Sequence, residues 1–357
     1  MNANQQQIDG YTERVRQAYD NKIPLHIRGG GSKLFFTGQN PEAEVFDCSG
    51  YNGIVSYEPS ELVITVRAGT TLRAVESMLA SKGQQFPFEP PAYSMATTIG
   101  GMVASGFSGS RRPFSGAVRD AVLGIKLLNG KGEVLQFGGQ VIKNVAGYDI
   151  SRLVTGSFGT LGIILEASIK VVPRPPTEQT FSIEVAPGKI FSELRRLRSA
   201  SNNLSGLACD GERVFYRLAG SEKSVKQIAA KLGGEEQVET QAFWKALNKQ
   251  QLPFFNEDQP IWRISLPPAA PELDFGGDAV LDWAGALRWV KSSKSAEEIQ
   301  SMAGAVGGHA MLFRSPEKKS MSLDLPSPTA ERIHQRIKHS LDPHSIFNPG
   351  YLFPEAS

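Results

Sequence analysis

The alternation of apolar and polar positions divides this chain into short strands and amphipathic helices in mixed order. Gln7 to Asp20 carries its apolar residues at helical spacing and predicts a short helix. Leu25-His26-Ile27-Arg28 reads as a strand running into a glycine-rich loop. Leu62 to Gly69 is rich in β-branched residues and predicts a strand that ends at a turn. Leu72, Val75, Met78 and Leu79 then repeat at helical spacing, with Thr70 or Thr71 as the cap. Ala117 to Leu128 reads as a strand, Asn129-Gly130 as a hairpin turn and Val134 to Phe137 as the return strand. Leu161 to Val172 reads as a further long strand.

Pro173-Arg174-Pro175-Pro176 interrupts the pattern and marks a boundary. Beyond it, strands are predicted near 181–185, 204–208, 214–218, 261–266, 280–283, 287–290 and 310–313, and helices near 189–198, 221–232, 241–250 and 296–306. This predicts a smaller antiparallel sheet with helices on one face. A last helix, Thr329 to Leu341, leads to a tail ending Ile346-Phe347-Asn348-Pro349-Gly350. The expected class is α+β, with residues 1–174 as a first domain, 175–328 as a second, and 329–357 returning to the first.

Composition narrows the function. Hydrophobic residues make up 40% of the 357 and charged residues 21%, as in ordinary globular proteins. A net charge of +2 gives no reason to expect a nucleic-acid surface. Two cysteines, Cys48 and Cys209, cannot supply the four ligands of a zinc or Fe–S cluster, so any such centre belongs to another chain. The polar start of the chain lacks the apolar core of a secretory signal, and a cytoplasmic location is expected. Pro90 to Ser110 is uncharged and long enough to cross a bilayer, but its Gly, Ser, Thr and Pro content reads as a ligand loop instead.

Two glycine-rich segments carry the candidate chemistry. Arg28-Gly29-Gly30-Gly31-Ser32 and Thr97-Thr98-Ile99-Gly100-Gly101 both let backbone amides come close to a ligand, and successive amides form an anion-binding concavity. Arg28 would complete a diphosphate cradle. No Walker A pattern occurs, and Gly156 to Gly162 precedes a strand, which is the wrong order for a Rossmann fingerprint. A dinucleotide held in another way is the expectation.

At this point the chain resembles the FAD-binding domain of the vanillyl-alcohol oxidase / p-cresol methylhydroxylase superfamily. Five segments match in order: Pro24 with Arg28 to Ser32, Val66-x-Ala68-Gly69, Thr98 to Gly101, Gly116-x-x-Arg119-Asp120-x-Val122-x-Gly124, and Lys143-Asn144-x-x-Gly147-Tyr148-Asp149 continuing into Gly156 to Ile164. The tail Ile346 to Gly350 matches the family's C-terminal segment. The resemblance implies two α/β subdomains around FAD. It makes Arg28, Gly29, Gly30, Gly31 and Ser32 a diphosphate clamp, with Thr97, Thr98, Gly100 and Gly101 packing on diphosphate and flavin. It also implies that Gly106 lets the backbone pass the ring, that Gly162 and Ile163 meet the adenosine end, and that Asn348 lies near the flavin. Ser32 stands where some members carry a flavin-linking histidine, so the FAD is expected to be non-covalent.

Within the superfamily the chain resembles the 2-hydroxy-acid branch, but it lacks that branch's His-rich metal motif. The second domain offers His309 alone, and His334 and His339 are five apart, so no metal is expected. A short second domain without that motif resembles the small FAD-binding subunits of bacterial glycolate oxidases. The implied partners are a homologous larger flavoprotein subunit and an Fe–S subunit, with membrane association through them. A self-sufficient dehydrogenase for another small 2-hydroxy acid and a flavin-free structural paralogue are the alternatives. Arg111, Arg112 and Arg119 are candidates for holding a substrate carboxylate, no catalytic base is assigned, and Pro253-Phe254-Phe255 is the expected partner contact.

Overall fold

The computed structural model of the protein describes residues 3–37, 40–139, 149–256, 259–315 and 328–352. The chain packs as two compact units, one of residues 1–107, 117–173 and 320–357, the other of 108–116 and 174–319.

The first unit is built on a five-stranded antiparallel sheet in the order Ile54–Glu58, Val63–Arg67, Ile163–Lys170, Val122–Leu128, Val134–Gly138. Both faces are covered. Ile64, Val66, Ile125, Leu127 and Ile164 face the helices Leu72–Ser81 and Ile99–Ser105. Alternate positions Leu128, Ile163 and Leu165 face the opposite way. There they meet the N-terminal helix Ala3–Asn21 through Ile8, Val15 and Ala18, and a small parallel pair, Leu25–Arg28 with Glu44–Asp47. The C-terminal tail joins this second layer, with Phe347 bridging Leu25 and buried completely.

Local chemistry explains several departures from the sequence reading. Thr71, not Thr70, caps the helix Leu72–Ser81 by accepting from Ala74 N at 3.3 Å, while Thr70 Oγ1 accepts from Gly53 N. Met78 lies on the exposed side of that helix. The strand expected from Ala117 begins at Val122, because Asp120 turns back to accept from Ala117 N and makes a helical turn over Val118–Ala121. Residues 99–105, read as part of a ligand loop, are a helix. Thr98 caps its start by accepting from Gly101 N at 3.2 Å, and Gly106 ends it at φ 65°.

The second unit is the shorter in residues yet carries the larger sheet, eight strands rather than the smaller sheet expected. Its helices lie on both faces of that sheet, not on one. Leu207, Val214 and Tyr216 pack under the helices Ile190–Ala200 and Glu222–Leu232. On the other side the helix Ala242–Asn248 sets Trp244 against Gly206, where a Cβ would lie 2.8 Å from the indole. Trp244 Nε1 donates to Thr180 Oγ1 at 2.8 Å, and the Arg217 guanidinium lies 4.8 Å over the ring.

Residues 108–116 belong to this unit through specific bonds. Ser110 Oγ donates to Asp282 Oδ2 at 2.8 Å, Trp283 Nε1 donates to Gly109 O at 2.8 Å, and Phe114 packs on the second core. Arg111, buried, donates to Glu178 Oε1 at 2.7 Å. Phe255, part of the expected partner contact, is instead 1% exposed and stacked edge-on against Trp289, so it is core. No helix among the described residues is long and apolar enough to cross a membrane.

Candidate functional site

The site lies in the first unit, where the strand Leu25–Arg28 runs out into the loop 29–33. Close packing of the two glycine segments on each other defines it. A Cβ on Gly29 would stand 2.3 Å from Thr98 Oγ1, and one on Gly30 would stand 1.6 Å from Ala96 O. These two glycines are therefore required by loop-on-loop contact, before any ligand is considered. Thr97 Oγ1 donates to Ser32 Oγ at 3.1 Å and ties the segments again.

Between them opens a cleft in two overlapping parts, with about 530 and 430 Å³ of space counting the solvent at its open mouth. Arg28, Gly29, Gly30, Gly31, Ser32, Thr98, Gly101 and Asn348 line the first part. Gly100 and Gly162 line the second, together with Gly29, Thr98, Gly101 and Asn348 again. Three residues expected at the site line neither part. Thr97 is buried beneath Ser32. Gly106 terminates its helix against Gly156. The Ile163 side chain is fully buried in the core with Leu128 and Leu165. Lys143, Asn144, Gly147 and Tyr148 lie outside the described residues.

The polar groups of the cleft divide into satisfied and unsatisfied sets. On the helix side the amides are spent within the protein: Ile99 N donates to Thr70 O, Gly100 N to Ala68 O and Gly101 N to Thr98 Oγ1. On the loop side, the amides of Gly29 to Lys33 have no acceptor among the described residues. Their neighbour Lys33 lines the same cleft, and its Nζ stands 3.9 Å from where a Cβ on Gly101 would be. Burial pushes the Lys33 ammonium down to about 8, and no acidic side chain among the described residues forms an ion pair with it. Arg28, by contrast, is half-exposed and already faces Asp47 at 3.6 Å. Unpaired amides beside a half-buried cation with no carboxylate partner among the described residues suit an anion with several oxygens. The cleft thus fits the diphosphate of a dinucleotide, with Lys33, which stands 5.9 Å over the Tyr93 ring, rather than Arg28 as the cation outside any ion pair among the described residues.

Asn348 fixes the far wall. Its Oδ1 accepts from Ile27 N at 2.7 Å, its Nδ2 donates to Phe158 O at 2.7 Å, and its own N donates to Leu25 O at 2.9 Å. The tail that carries it is anchored by the buried carboxylate of Asp342, which accepts from Ile346 N and Phe347 N and pairs with Lys338 at 2.5 Å. His26 Nδ1 meets Tyr351 Oη at 3.1 Å, and burial followed by nearby Arg28 holds that imidazole below its usual value. Phe158, held at φ 52°, packs with Phe36 and Phe107 and lines both parts of the cleft. Lys33, Phe158 and Tyr351 are among the lining residues that sequence reasoning missed. Lys33 follows directly on the glycine loop, and that position was the available signal.

A two-segment glycine clamp on an antiparallel sheet, closed by the C-terminal tail, defines an FAD-binding protein of the p-cresol methylhydroxylase type. A family profile for the FAD binding domain matches residues 6–138. The fold is shared with alkyldihydroxyacetonephosphate synthase, at TM-score 0.65 and 16% identity over 95% of this chain and 74% of that one. It is shared also with a Phl p 4 variant described as a glucose oxidase, at TM-score 0.65 and 15% identity over 98% and 89%. Glycolate oxidase subunit GlcE of Escherichia coli (strain K12) is 45% identical over 343 residues, 96% of each chain. Glycolate oxidase subunit GlcD of Bacillus subtilis (strain 168) is 34% identical over 162 residues, 45% of this chain and 34% of that one. The chain belongs to the GlcE family of FAD-dependent oxidoreductase subunits.

Proposed function

We propose that this chain is the FAD-carrying subunit of a complex that oxidises glycolate to glyoxylate. The observation that carries the reading is the cleft itself: unpaired amides at 29–33 and the Lys33 ammonium, in a chain similar over 96% of its length to a glycolate oxidase subunit. The chemistry a bound flavin supplies is acceptance of a hydride from the carbon that bears the hydroxyl. The residues of this chain hold and orient it. The 29–33 amides and Lys33 take the diphosphate, Asn348 locks the strand Leu25–Arg28 to the turn at Phe158, and Phe158 walls the cleft.

Among the described residues, the cleft offers no uncommitted general base. His26 is buried, bonded to Tyr351 and held below its usual value, and the Cys48 thiol is pushed up to about 12 by burial. Turnover on this reading needs a homologous larger flavoprotein subunit, with an Fe–S subunit taking the electrons toward a membrane acceptor. Cofactor retention is non-covalent, since Ser32 in the clamp is bonded to Thr97 and has no ring nitrogen to offer a flavin.

The test is anaerobic mixing of the purified chain with glycolate, followed by absorption. The flavin bands are expected to persist in the chain alone and to bleach once the partner subunits are added. Rapid bleaching by the isolated chain would overturn the dependence on partners and leave a self-sufficient dehydrogenase.

A further inference from the structure

Side chains alternate along the strand Leu25–Arg28. Leu25 and Ile27 pack into the core shared with the N-terminal helix, which sets His26 and Arg28 on the opposite side. Both line the first part of the cofactor cleft, and Tyr351 lines it from the tail. His26 is 4% exposed. Its Nδ1 meets Tyr351 Oη at 3.1 Å, with the two rings nearly perpendicular and 5.8 Å apart. The other imidazole nitrogen, Nε2, has no hydrogen-bond partner among the described residues. A buried polar atom left unmatched in this way is costly, and something that enters the cleft can relieve it.

A line of hydroxyls fixes which nitrogen carries the proton. Thr37 Oγ1 donates its one proton to Lys33 O at 3.3 Å, so it accepts from the phenol that it also bonds, Tyr351. The phenol proton is thereby committed, and Tyr351 Oη accepts from His26 Nδ1–H. Burial, then the Arg28 guanidinium, hold the imidazole below its usual 6.5, so it is neutral near pH 7. The other charged groups at this wall are Lys33 on the loop and Asp47 on the paired strand, which stands 3.6 Å from Arg28. Burial raises the Tyr351 phenol, which therefore keeps its proton. A neutral ring protonated on Nδ1 carries a lone pair on Nε2. That nitrogen is an acceptor, and it cannot bond a diphosphate, whose oxygens are acceptors too.

We propose that His26 is a cofactor-contacting residue whose Nε2 accepts a hydrogen bond from a hydroxyl or N–H of FAD outside the diphosphate, with Tyr351 and Thr37 holding the tautomer that does so. The cleft then combines two chemistries. The amides at 29–33 and Lys33 donate to the diphosphate, and His26 accepts from a neutral part of the same molecule. Occupied in this way, His26 serves the cofactor and is not a base for the substrate. The inference rests on the reading of the cleft as an FAD site. It fixes the sign of a pH effect. Protonation of Nε2 turns the acceptor into a donor, so FAD affinity falls as pH drops through the folded value of the imidazole. A histidine that held the diphosphate as a cation would bind FAD more tightly in acid.

The test is titration of the flavin-stripped full chain with FAD between pH 5 and pH 7, followed by flavin fluorescence, in the parent, His26→Leu, His26→Gln and Tyr351→Phe. Asp47 stays ionised across that window: burial would raise it, but bonds from Ser49 and the Arg28 charge hold it below its ordinary 3.8. The parent is expected to lose affinity about threefold or more from pH 7 to pH 5. His26→Leu should bind FAD roughly three- to tenfold more weakly at pH 7, the loss of one hydrogen bond, and show no acid dependence. His26→Gln keeps an acceptor and takes up no proton, so it should bind within about threefold of the parent at pH 7 and stay flat to pH 5. Tyr351→Phe should weaken FAD at pH 7 while keeping the acid loss. Melting midpoints report folding, and should His26→Leu fail to fold, the flat acid limb of His26→Gln decides. FMN, ADP and inorganic pyrophosphate locate the contact. Weaker binding of FMN to His26→Leu places it on the flavin half and weaker binding of ADP on the adenosine half, and either sustains the proposal. An effect confined to pyrophosphate, or FAD binding that tightens in acid, would overturn it. FAD affinity unmoved in the folded His26 variants at every pH would overturn it and leave the cofactor reading standing, whereas a parent that takes up no FAD would overturn both.

Discussion

Asn348 and Ile27 are 321 residues apart in sequence, yet the side-chain oxygen of one accepts the backbone N–H of the other at 2.7 Å. This bond makes the C-terminal tail part of the cofactor cleft. On the proposed reading, the segment that carries Asn348 becomes a determinant of flavin retention. Asn348→Ala removes the acceptor for Ile27 N and the donor to Phe158 O, leaving two inner backbone groups unmatched. The expected loss of stability is about 2–5 kcal/mol, with flavin released more readily. Thermal unfolding with and without added FAD measures both.

The same tail depends on Asp342. Its carboxylate is fully buried, accepts two tail amides and pairs with Lys338, which also donates to Thr160 O and Phe347 O. Asp342→Ala strands a buried ammonium. The expected cost is about 3–5 kcal/mol, read by chemical denaturation. A neutral result would mean that the tail is not anchored in this way.

Gly30→Ala and Gly31→Ala should differ sharply. A methyl at Gly30 meets Ala96 O at 1.6 Å, a backbone atom that cannot swing aside, whereas at Gly31 it would make only ordinary contacts, with Arg28 Cδ at 3.5 Å and Leu34 Cδ1 at 3.6 Å, and the backbone strain at φ 63° is the cost. The first is expected to destabilise by more than about 3 kcal/mol and to abolish flavin binding, the second by about 1–2 kcal/mol. Melting midpoints and flavin content of the two purified variants decide it.

These contrasts show how much of the molecule was legible in sequence. The glycine clamp was visible because its residue types are dictated locally, although the reason given for the glycines was ligand approach and the structure shows packing against Ala96 and Thr98. The helix 99–105 was misread because Gly100 and Gly101 argue against a helix. Two caps, Thr98 and Gly106, outweigh that propensity. The meeting of Arg112 and Arg263 over Trp283 had no sequence signal, since tertiary packing of a short helix and a strand, and no local pattern, brings them together. Lys33 could have been found: a lysine directly after a glycine loop is a plain candidate for an anion.

In the second unit Glu178 carries the pH dependence. Burial alone would raise its carboxyl, but Arg217 and then Arg111, with bonds from Arg111 and Ser205, hold it below its ordinary 4.5. A carboxylate lowered on folding contributes stability above its unfolded value and loses it as pH falls through the folded one. Below pH 4.5 the parent is expected to lose stability steeply, and Glu178→Gln is expected to be weaker at neutral pH with a flatter acid limb. Denaturation midpoints across pH 3 to 7, on the order of one point per half unit, separate the two. An unchanged acid limb would remove Glu178 from this role.

Lys33 predicts two pH effects of opposite sign. Its ammonium is lowered to about 8 by burial, so the flavin-free chain is penalised while the group is charged and gains stability as pH rises from about 8 toward the unfolded value of 10.5. Flavin binding runs the other way, because the diphosphate needs the charged form, and it weakens as pH rises through about 8. The most direct test of the whole account is FAD titration of the flavin-stripped chain and of its Lys33→Gln variant, followed by absorbance at pH 7. The account predicts saturable binding to the parent and affinity lower by about tenfold or more in the variant, the loss of one charge-assisted contact. A parent that takes up no flavin, or a variant that binds it as tightly as the parent, would contradict it.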